Sequence, residues 1–78
     1  MPIKFKITTG EPSRYAFMCG YIAQRETPAK RVTMWHEGGV WHVRGHDFEN
    51  HRRLFWDTYS SLSDARKRYR TSQREVFG

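Results

Sequence analysis

Residues 31–44 concentrate the side chains with the greatest capacity for recognition chemistry. This short stretch contains two tryptophans, two arginines and two histidines. Aromatic rings offer flat apolar faces, and guanidinium groups bind phosphate oxygens, base edges and carboxylates, so this combination is typical of a surface that binds nucleic acid or protein. β-branched and aromatic residues alternate with polar ones on both sides of Gly38 and Gly39, which predicts a β-hairpin.

The length of the hairpin turn decides which side chains share a face. A two-residue turn places Trp35 opposite His42, whereas a three-residue turn moves Trp35 and Trp41 to the same face. We favour the two-residue turn because it collects the apolar residues on one side. The apolar face then carries Val32, Met34, His36, Trp41 and Val43, and the opposite face carries Thr33, Trp35, Val40, His42 and Arg44.

No pattern of catalytic residues is evident. The four histidines lie at 36, 42, 46 and 51, Cys19 is distant from them, and no CxxC pair is present. The loop containing His46-Asp47 and Asn50-His51 resembles metal-dependent nucleases that use His and Asn, over a few residues only. No glycine-rich phosphate loop follows a strand, and nothing orders Ser, His and Asp as a triad. We therefore expect a protein that is not an enzyme and has no catalytic residues, metal ligands or cofactor.

The charge balance predicts a polyanionic partner. The formal net charge is +6, and residues 51–78 contain seven Lys or Arg against three Asp or Glu. Nucleic acid is the favoured partner, because clustered cations bind phosphates. The alternative is a small phage or mobile-element protein that binds and inhibits a host defence complex, like the anti-CRISPR proteins. Exposed Trp, Tyr and Arg would then be hot-spot residues of a protein interface.

Length and cysteine content predict one small domain, residues 1–78, in a reducing compartment. A chain of this size buries about 60–65% of its unfolded surface, which allows one small core. Cys19 is the single cysteine, so it forms no internal disulfide, and we expect a cytoplasmic protein from a bacterium or a mobile element. No apolar run approaches the roughly 20 residues of a membrane span. A monomer or a homodimer without membrane partners is expected.

The remaining strands are predicted from alternation. Residues 3–8 alternate between apolar and polar side chains, which predicts a half-buried strand. Residues 15–25 fit either a strand or a helix, and their aromatic and β-branched content favours the strand. Residues 45–51 are predicted to form a polar connection. Arg52–Tyr59 is the last predicted strand, with Leu54 and Trp56 on one side and Arg53, Phe55 and Tyr59 on the other.

The last predicted element is a helix over residues 62–75. Ser61 and Asp64 have the spacing of a capping box, with Asp in place of the usual Glu or Gln. A narrow apolar stripe of Leu62, Ala65, Tyr69 and Val76 is expected to pack on the sheet. Basic residues at 66, 67, 68, 70 and 74 lie mostly off that stripe.

Residues 39–69 resemble the ethylene-response-factor type DNA-binding domain of plants and the arm-binding N-terminal domains of phage integrases. The matching residues are Gly39-Val40-Trp41-His42-Val43-Arg44, Leu54-Phe55-Trp56-Asp57-Thr58-Tyr59, Ala65 and Tyr69. The resemblance implies a three-stranded antiparallel sheet backed by one helix, with Arg and Trp on the sheet reading the major groove. Those roles would fall on Trp41 and Arg44. A glycine of the family pattern is Asp57 here.

Together, these observations predict an α+β domain in which an antiparallel sheet of three to four strands packs against one C-terminal helix. The predicted function is non-enzymatic nucleic-acid binding, with DNA favoured, through the outer face of the hairpin and the basic helix. The predicted binding residues are Arg31, Thr33, Trp35, His42, Arg44, Arg52, Arg53, Arg66, Lys67 and Arg70.

Overall fold

A five-stranded sheet with two helices forms the structure. The computed structural model describes residues 6–8 and 10–78, and the burial of side chains from residue 10 onward. The elements in chain order are β1 (Lys6–Thr8), α1 (Arg14–Met18), β2 (Tyr21–Glu26), β3 (Lys30–Glu37), β4 (Val40–Asp47), β5 (Arg52–Tyr59) and α2 (Leu62–Phe77). Strand order follows the chain; β1 pairs with β2 in parallel, and β2 to β5 form an antiparallel meander. The predicted α+β fold is confirmed, with β1 as an additional parallel strand.

Strand β1 covers the end of the strand predicted at residues 3–8. The first part of that prediction, residues 3–5, and the burial of the β1 side chains lie outside the described residues. The polar connection predicted at residues 45–51 is shorter than expected, because β4 continues through Asp47 and only residues 48–51 connect it to β5.

The ambiguous segment at residues 15–25 contains both a helix and a strand, so the prediction of one continuous strand is wrong. Ser13 caps α1 by accepting a hydrogen bond from the backbone N–H of Ala16 at 3.2 Å. Gly20 then adopts a φ of 95°, a left-handed conformation that favours glycine, and it separates α1 from β2. Phe17 is buried whereas Tyr15 is 78% exposed, which rules out the shared face that a strand would give them.

The hairpin forms as predicted with a two-residue turn. Both Gly38 and Gly39 have positive φ angles, 63° and 80°, as the tight turn of a two-residue hairpin requires. Trp35 pairs with His42 in the register of β3 and β4. Trp41 is 2% exposed and faces α2 with the rest of the core. The predicted division between a core tryptophan and a surface tryptophan is therefore confirmed.

Strand β5 has the predicted bounds but not the predicted alternation. Gly45 pairs with Phe55 and His46 pairs with Arg53, so Leu54 is an extra residue at a bulge. The bulge places Arg53 on the same face as Trp56, and the Arg53 guanidinium lies 5.4 Å from the Trp56 ring centre. Leu54 instead packs against the core. The predicted pairing of Leu54 with Trp56 on one face is therefore wrong.

Helix α2 covers one face of the sheet and supplies much of the core. Its N-terminus is capped as predicted by Ser61, whose hydroxyl accepts a hydrogen bond from the backbone N–H of Asp64 at 3.2 Å. The helix extends to Phe77, two residues beyond the prediction. Its buried residues are Leu62, Ala65, Tyr69, Ser72 and Val76, which join Phe17, Ala23, Val32, Met34, Trp41 and Val43 in the core. Neither described helix combines the length and the apolar character needed to cross a membrane.

Candidate nucleic-acid interface

The face of the sheet opposite α2, called the outer face below, carries the predicted recognition side chains. Val32, Met34 and Val43 are fully buried beneath α2. Because side chains alternate along a strand, the residues between them point away from the helix. The outer face of β3, β4 and β5 is thereby built from Arg31, Thr33, Trp35, His42, Arg44, His46, Arg53 and Trp56.

Three aromatic side chains form a ridge across the outer face, one from each of β3, β4 and β5. The rings of Trp35 and His42 stack with centres 4.8 Å apart and an angle of 7° between their planes. The Trp56 ring centre lies 6.0 Å from that of Trp35 and 6.1 Å from that of His42. Trp56 is 44% exposed, so a large part of its ring is available to a ligand.

Hydrogen bonds fix the orientation of the ridge. The Trp56 indole N–H donates to Nδ1 of His42 at 3.1 Å, and Nε2 of His42 lies 3.1 Å from the backbone carbonyl oxygen of Glu37. This arrangement assigns the proton of a neutral His42 to Nε2. The Trp35 indole N–H donates to the Glu37 carboxylate at 3.3 Å. Both indole donors are used internally, and His42 stacks on the Trp35 ring, so a ligand would meet the exposed part of the Trp56 ring.

Arg44 lies on the ridge between the two tryptophans. Its guanidinium carbon is 4.9 Å from the Trp35 ring centre and 5.1 Å from the Trp56 ring centre, distances at which cation–π attraction operates. Neither Arg44 nor Arg53 forms a salt bridge with any residue from 10 to 78. Arg31 differs, because its Nε binds the Glu26 carboxylate at 3.1 Å. The uncompensated charge of the outer face is therefore centred on Arg44 and Arg53.

Two concavities lie on either side of Arg44. The larger, about 370 Å³, is lined by Arg31, Thr33, Arg44, His46, Phe48 and Arg53. The smaller, about 230 Å³, is lined by Ile22, Gln24, Arg31, Thr33, Trp35 and Arg44. Thr33 is 7% exposed and donates a hydrogen bond from its hydroxyl to the Gln24 side-chain carbonyl at 3.1 Å. The surface thus offers recesses as well as a ridge.

The structure brings together six of the ten predicted binding residues: Arg31, Thr33, Trp35, His42, Arg44 and Arg53. Arg52 lies apart, with its Nε 3.9 Å from the Asp47 carboxylate. The other three, Arg66, Lys67 and Arg70, are on α2, which packs against the opposite face of the sheet. The predicted cooperation of the hairpin face with the basic helix in one contact surface is therefore not observed. The two groups of cations lie on opposite sides of the molecule.

Sequence reasoning missed Trp56, Gln24, His46 and Phe48 as outer-face residues. Trp56 lies directly opposite Arg44 in a register that is regular from Trp41–Tyr59 to Gly45–Phe55. The predicted alternation already placed Trp56 on the side opposite Phe55 and Tyr59, but it did not show which side faces away from α2. The family resemblance assigned a groove-reading role to Trp41. Trp41 instead packs edge to face against Phe17, with ring centres 5.1 Å apart, in the core.

The nuclease-like loop residues have a structural role in the turn between β4 and β5. Asp47 is 3% exposed and accepts hydrogen bonds from the backbone N–H groups of Glu49 and Asn50, at 3.0 and 3.2 Å, and from the Asn50 side-chain amide at 2.7 Å. The hydrogen bond from the Asn50 side chain is the main cause that lowers the pKa of Asp47. Burial acts in the opposite direction, whereas the two backbone hydrogen bonds and the charge of Arg52 lower the pKa further. Within residues 6–8 and 10–78, no group of three or more His, Cys, Asp or Glu side chains could hold a metal ion.

Strands β3, β4 and β5 thus present an aromatic and cationic outer face, while α2 covers the other side of the sheet. Comparison of the chain with known proteins gave no match among protein-family models, curated proteins or solved structures.

Proposed function

We propose that the protein binds nucleic acid, with DNA as the favoured ligand, through the outer face of the sheet and without catalysing a reaction. The observation that carries this proposal is Arg44, which rests on two indole rings and has no carboxylate counterion among residues 10–78. A guanidinium held in this way is oriented before the ligand arrives, which reduces the entropy lost on binding. Phosphate oxygens and guanine edges are its natural acceptors.

The charges around Arg44 support the same ligand. Arg53 and Arg31 flank the larger concavity, so phosphates approaching Arg44 would meet further cations. The described acids of this face are at its margins, where Glu26 binds Arg31 and Glu37 binds the Trp35 indole. A polyanion would therefore meet little repulsion at the centre of the outer face.

The dimensions of the ridge fit a groove of duplex DNA. The ring centres of Trp35, His42 and Trp56 lie 4.8–6.1 Å from one another, so the ridge is a compact projection built from three strands. The major groove of B-DNA is about 12 Å wide and admits a two-stranded β-ribbon, so a projection of this size can enter it. The exposed part of the Trp56 ring would contact sugars or base edges, while Arg44 would donate to phosphates or guanine. The cytoplasm suits such a protein, since the exposed thiol of Cys19 would stay reduced there.

A salt titration with matched variants tests the proposal. Binding to short duplex and single-stranded oligonucleotides would be measured by fluorescence anisotropy for the wild type, for Arg44→Gln and for the control Arg74→Gln. The control removes the same charge from an exposed position on the last turn of α2. We expect wild-type affinity to fall steeply with salt. Arg44→Gln should weaken binding about tenfold, the equivalent of one charge-assisted hydrogen bond, and Arg74→Gln should have little effect.

Two outcomes would overturn the proposal. Equal losses in Arg44→Gln and Arg74→Gln would mean that net charge, and not the outer face, controls binding. Absence of binding at low salt, together with stoichiometric capture of a protein partner, would favour an inhibitor of a host protein complex.

A further inference from the structure

A second concentration of positive charge lies on the side of the sheet that α2 covers. A concavity of about 380 Å³, called the α2 pocket below, is lined by Arg14, Leu62, Ser63, Arg66, Lys67 and Arg70. Four of these six residues are basic. None of them belongs to the outer face, so this cluster is separate from the proposed DNA contact.

The segment preceding α1 holds two of the pocket cations in place. Nη2 of Arg66 donates to the backbone carbonyl oxygen of Pro12 at 3.0 Å. The Arg70 guanidinium donates to both carboxylate oxygens of Glu11 at 3.0–3.2 Å. These contacts join residues far apart in the chain, so the pocket is part of the tertiary structure and not only a charged helix surface.

The remaining donors of the pocket are uncommitted. Nε of Arg66 is buried and has no hydrogen-bond partner among residues 10–78. The side chains of Arg14 and Lys67 are exposed and form no salt bridge within the same residues. Because the Nε atom is shielded from solvent, the exposed Arg14 and Lys67 side chains are the donors that a ligand can reach.

The chemistry of the lining selects phosphate and not a base. Four cations face one carboxylate, that of Glu11, and the first turn of a 16-residue helix adds its partial positive charge. No aromatic ring lines the pocket, so it lacks a surface on which a base could stack. Arginine binds phosphate oxygens in pairs, and lysine contributes a further charge.

We propose that the α2 pocket binds phosphate groups of a second nucleic-acid segment, so that the protein holds two segments on opposite sides of its sheet. The molecule measures 32 × 31 × 21 Å, and the sheet and α2 separate the pocket from the outer face. Duplex DNA is stiff over about 150 base pairs, so a short duplex lying on the outer face does not turn back to reach the pocket. The bridging part of this inference rests on the proposed function, whereas phosphate binding in the pocket does not.

The first experiment tests the pocket with inorganic pyrophosphate. Amide chemical shifts would be followed by NMR in the wild type, in Arg14→Gln/Lys67→Gln and in Arg74→Gln. We expect saturable shifts at residues 62–67 and at Arg14, an affinity about tenfold weaker in the double variant, and wild-type behaviour in Arg74→Gln. Shifts spread evenly over the surface cations, or equal affinities in all three proteins, would overturn the site. Because the two replaced side chains form no salt bridge with residues 10–78, the double variant should remain folded, which its unshifted core resonances would show.

The second experiment tests bridging. One short duplex is immobilised, a second carries a fluorophore, and protein-dependent retention of the second is measured. The double variant should bind the immobilised duplex and lose retention of the fluorescent one, whereas Arg74→Gln should keep both. Binding of pyrophosphate without bridging would overturn the second segment as the ligand and identify a free phosphate compound. A wild type that binds no duplex at all would contradict the proposed function and the bridging together, while the pyrophosphate result would still decide the pocket.

Discussion

Arg68 on α2 and Arg44 on the outer face both rest on aromatic rings, but among residues 10–78 only Arg68 of the two has carboxylate partners. The guanidinium carbon of Arg68 lies 4.0 Å from the Phe55 ring centre. Its Nε binds Asp57 at 2.8 Å, and its Nη1 binds Glu75 at 2.9 Å. Burial lowers the pKa of Arg68, but the hydrogen bonds to Glu75 and Asp57 outweigh it, so the pKa is raised above its ordinary value.

Arg44 makes comparable ring contacts with a different electrostatic result. It touches two indoles, yet no carboxylate neutralises it within the described chain. A cation–π contact therefore does not by itself distinguish a structural arginine from a recognition arginine. The two arginines differ in their counterions: Arg68 joins α2 to β5 through Asp57 and Glu75. The charge of Arg44, without a carboxylate partner among residues 10–78, is the one we propose for ligand binding.

The largest expected effect concerns the packing that supports Arg68. A Cβ atom on Gly45 would lie 2.5 Å from Cε1 of Phe55, so Gly45→Ala would force the Phe55 ring and the guanidinium stacked on it to move. We expect a loss of about 2–3 kcal/mol in the free energy of unfolding, measured by urea denaturation. Gly10→Ala is the control, because nothing lies within 4 Å of its added Cβ atom. Wild-type stability in Gly45→Ala would show that the ring shifts without cost.

The direct test of the comparison is Arg68→Gln against Arg44→Gln. Arg68→Gln leaves Asp57 and Glu75 without their cation, and since both carboxylates are partly solvated the cost should be about 1–2 kcal/mol of unfolding free energy. Nucleic-acid affinity should be unchanged. Arg44→Gln should show the reverse, with stability within about 0.5 kcal/mol of wild type and weakened binding. Denaturation and anisotropy on the same samples measure both quantities, and similar profiles for the two variants would refute the distinction.

Asp47 extends the comparison to a buried carboxylate whose role is also structural. Its pKa is lowered in the folded state, so its stabilising effect is present above the ordinary pKa of 3.8 and is lost as pH falls through the folded-state value. Asp47→Asn should therefore be less stable than wild type at neutral pH, and the difference should shrink below about pH 4. Thermal unfolding from neutral to acid pH measures this. For Glu49→Gln, which changes an exposed side chain in the same turn, the stability difference from wild type should not shrink in this way at acid pH.

Tyr69 is expected to give the smallest effect at neutral pH. Its hydroxyl oxygen is buried and forms no hydrogen bond of ordinary length in the described part of the chain, although the Gln73 side chain lies near enough to lower its pKa. Tyr69→Phe should leave stability unchanged or raise it by up to about 1 kcal/mol, because no hydrogen bond of ordinary length is lost and the cost of burying the hydroxyl is removed. Burial is the main cause that raises the pKa of Tyr69 to about 12. Above pH 10 the unfolded wild type loses the Tyr69 hydroxyl proton before the folded protein does, so wild-type stability should decline relative to Tyr69→Phe. Parallel alkaline denaturation curves for the two proteins would contradict the raised pKa of Tyr69.

The sequence was most informative where local chemistry determines geometry. Gly38 and Gly39 supply the positive φ angles of a two-residue turn, and that turn fixes the register that separates Trp35 from Trp41. Ser61 likewise marks the start of α2. These features depend on neighbouring residues, which the sequence displays directly.

The sequence was less informative where the outcome depends on distant residues. Gly20 divides a segment whose two halves each fit more than one pattern, and the bulge at Leu54 reverses the expected side of Arg53. The prediction grouped the basic residues of α2 with the outer face. The apolar stripe of the helix instead packs on the apolar face of the hairpin, which carries those basic residues to the opposite side of the sheet.

The sequential order of the strands has a consequence for how the chain folds. Every antiparallel neighbour in the sheet is also the next strand in the chain, and the connections are residues 27–29, 38–39 and 48–51. Closing such short loops costs little chain entropy, so the meander can grow by adding one hairpin to the next. Arg44 and Trp56 come into register as soon as β5 joins β4. The outer face is thus assembled from contacts of low sequence separation, before the parallel pairing of β1 is needed.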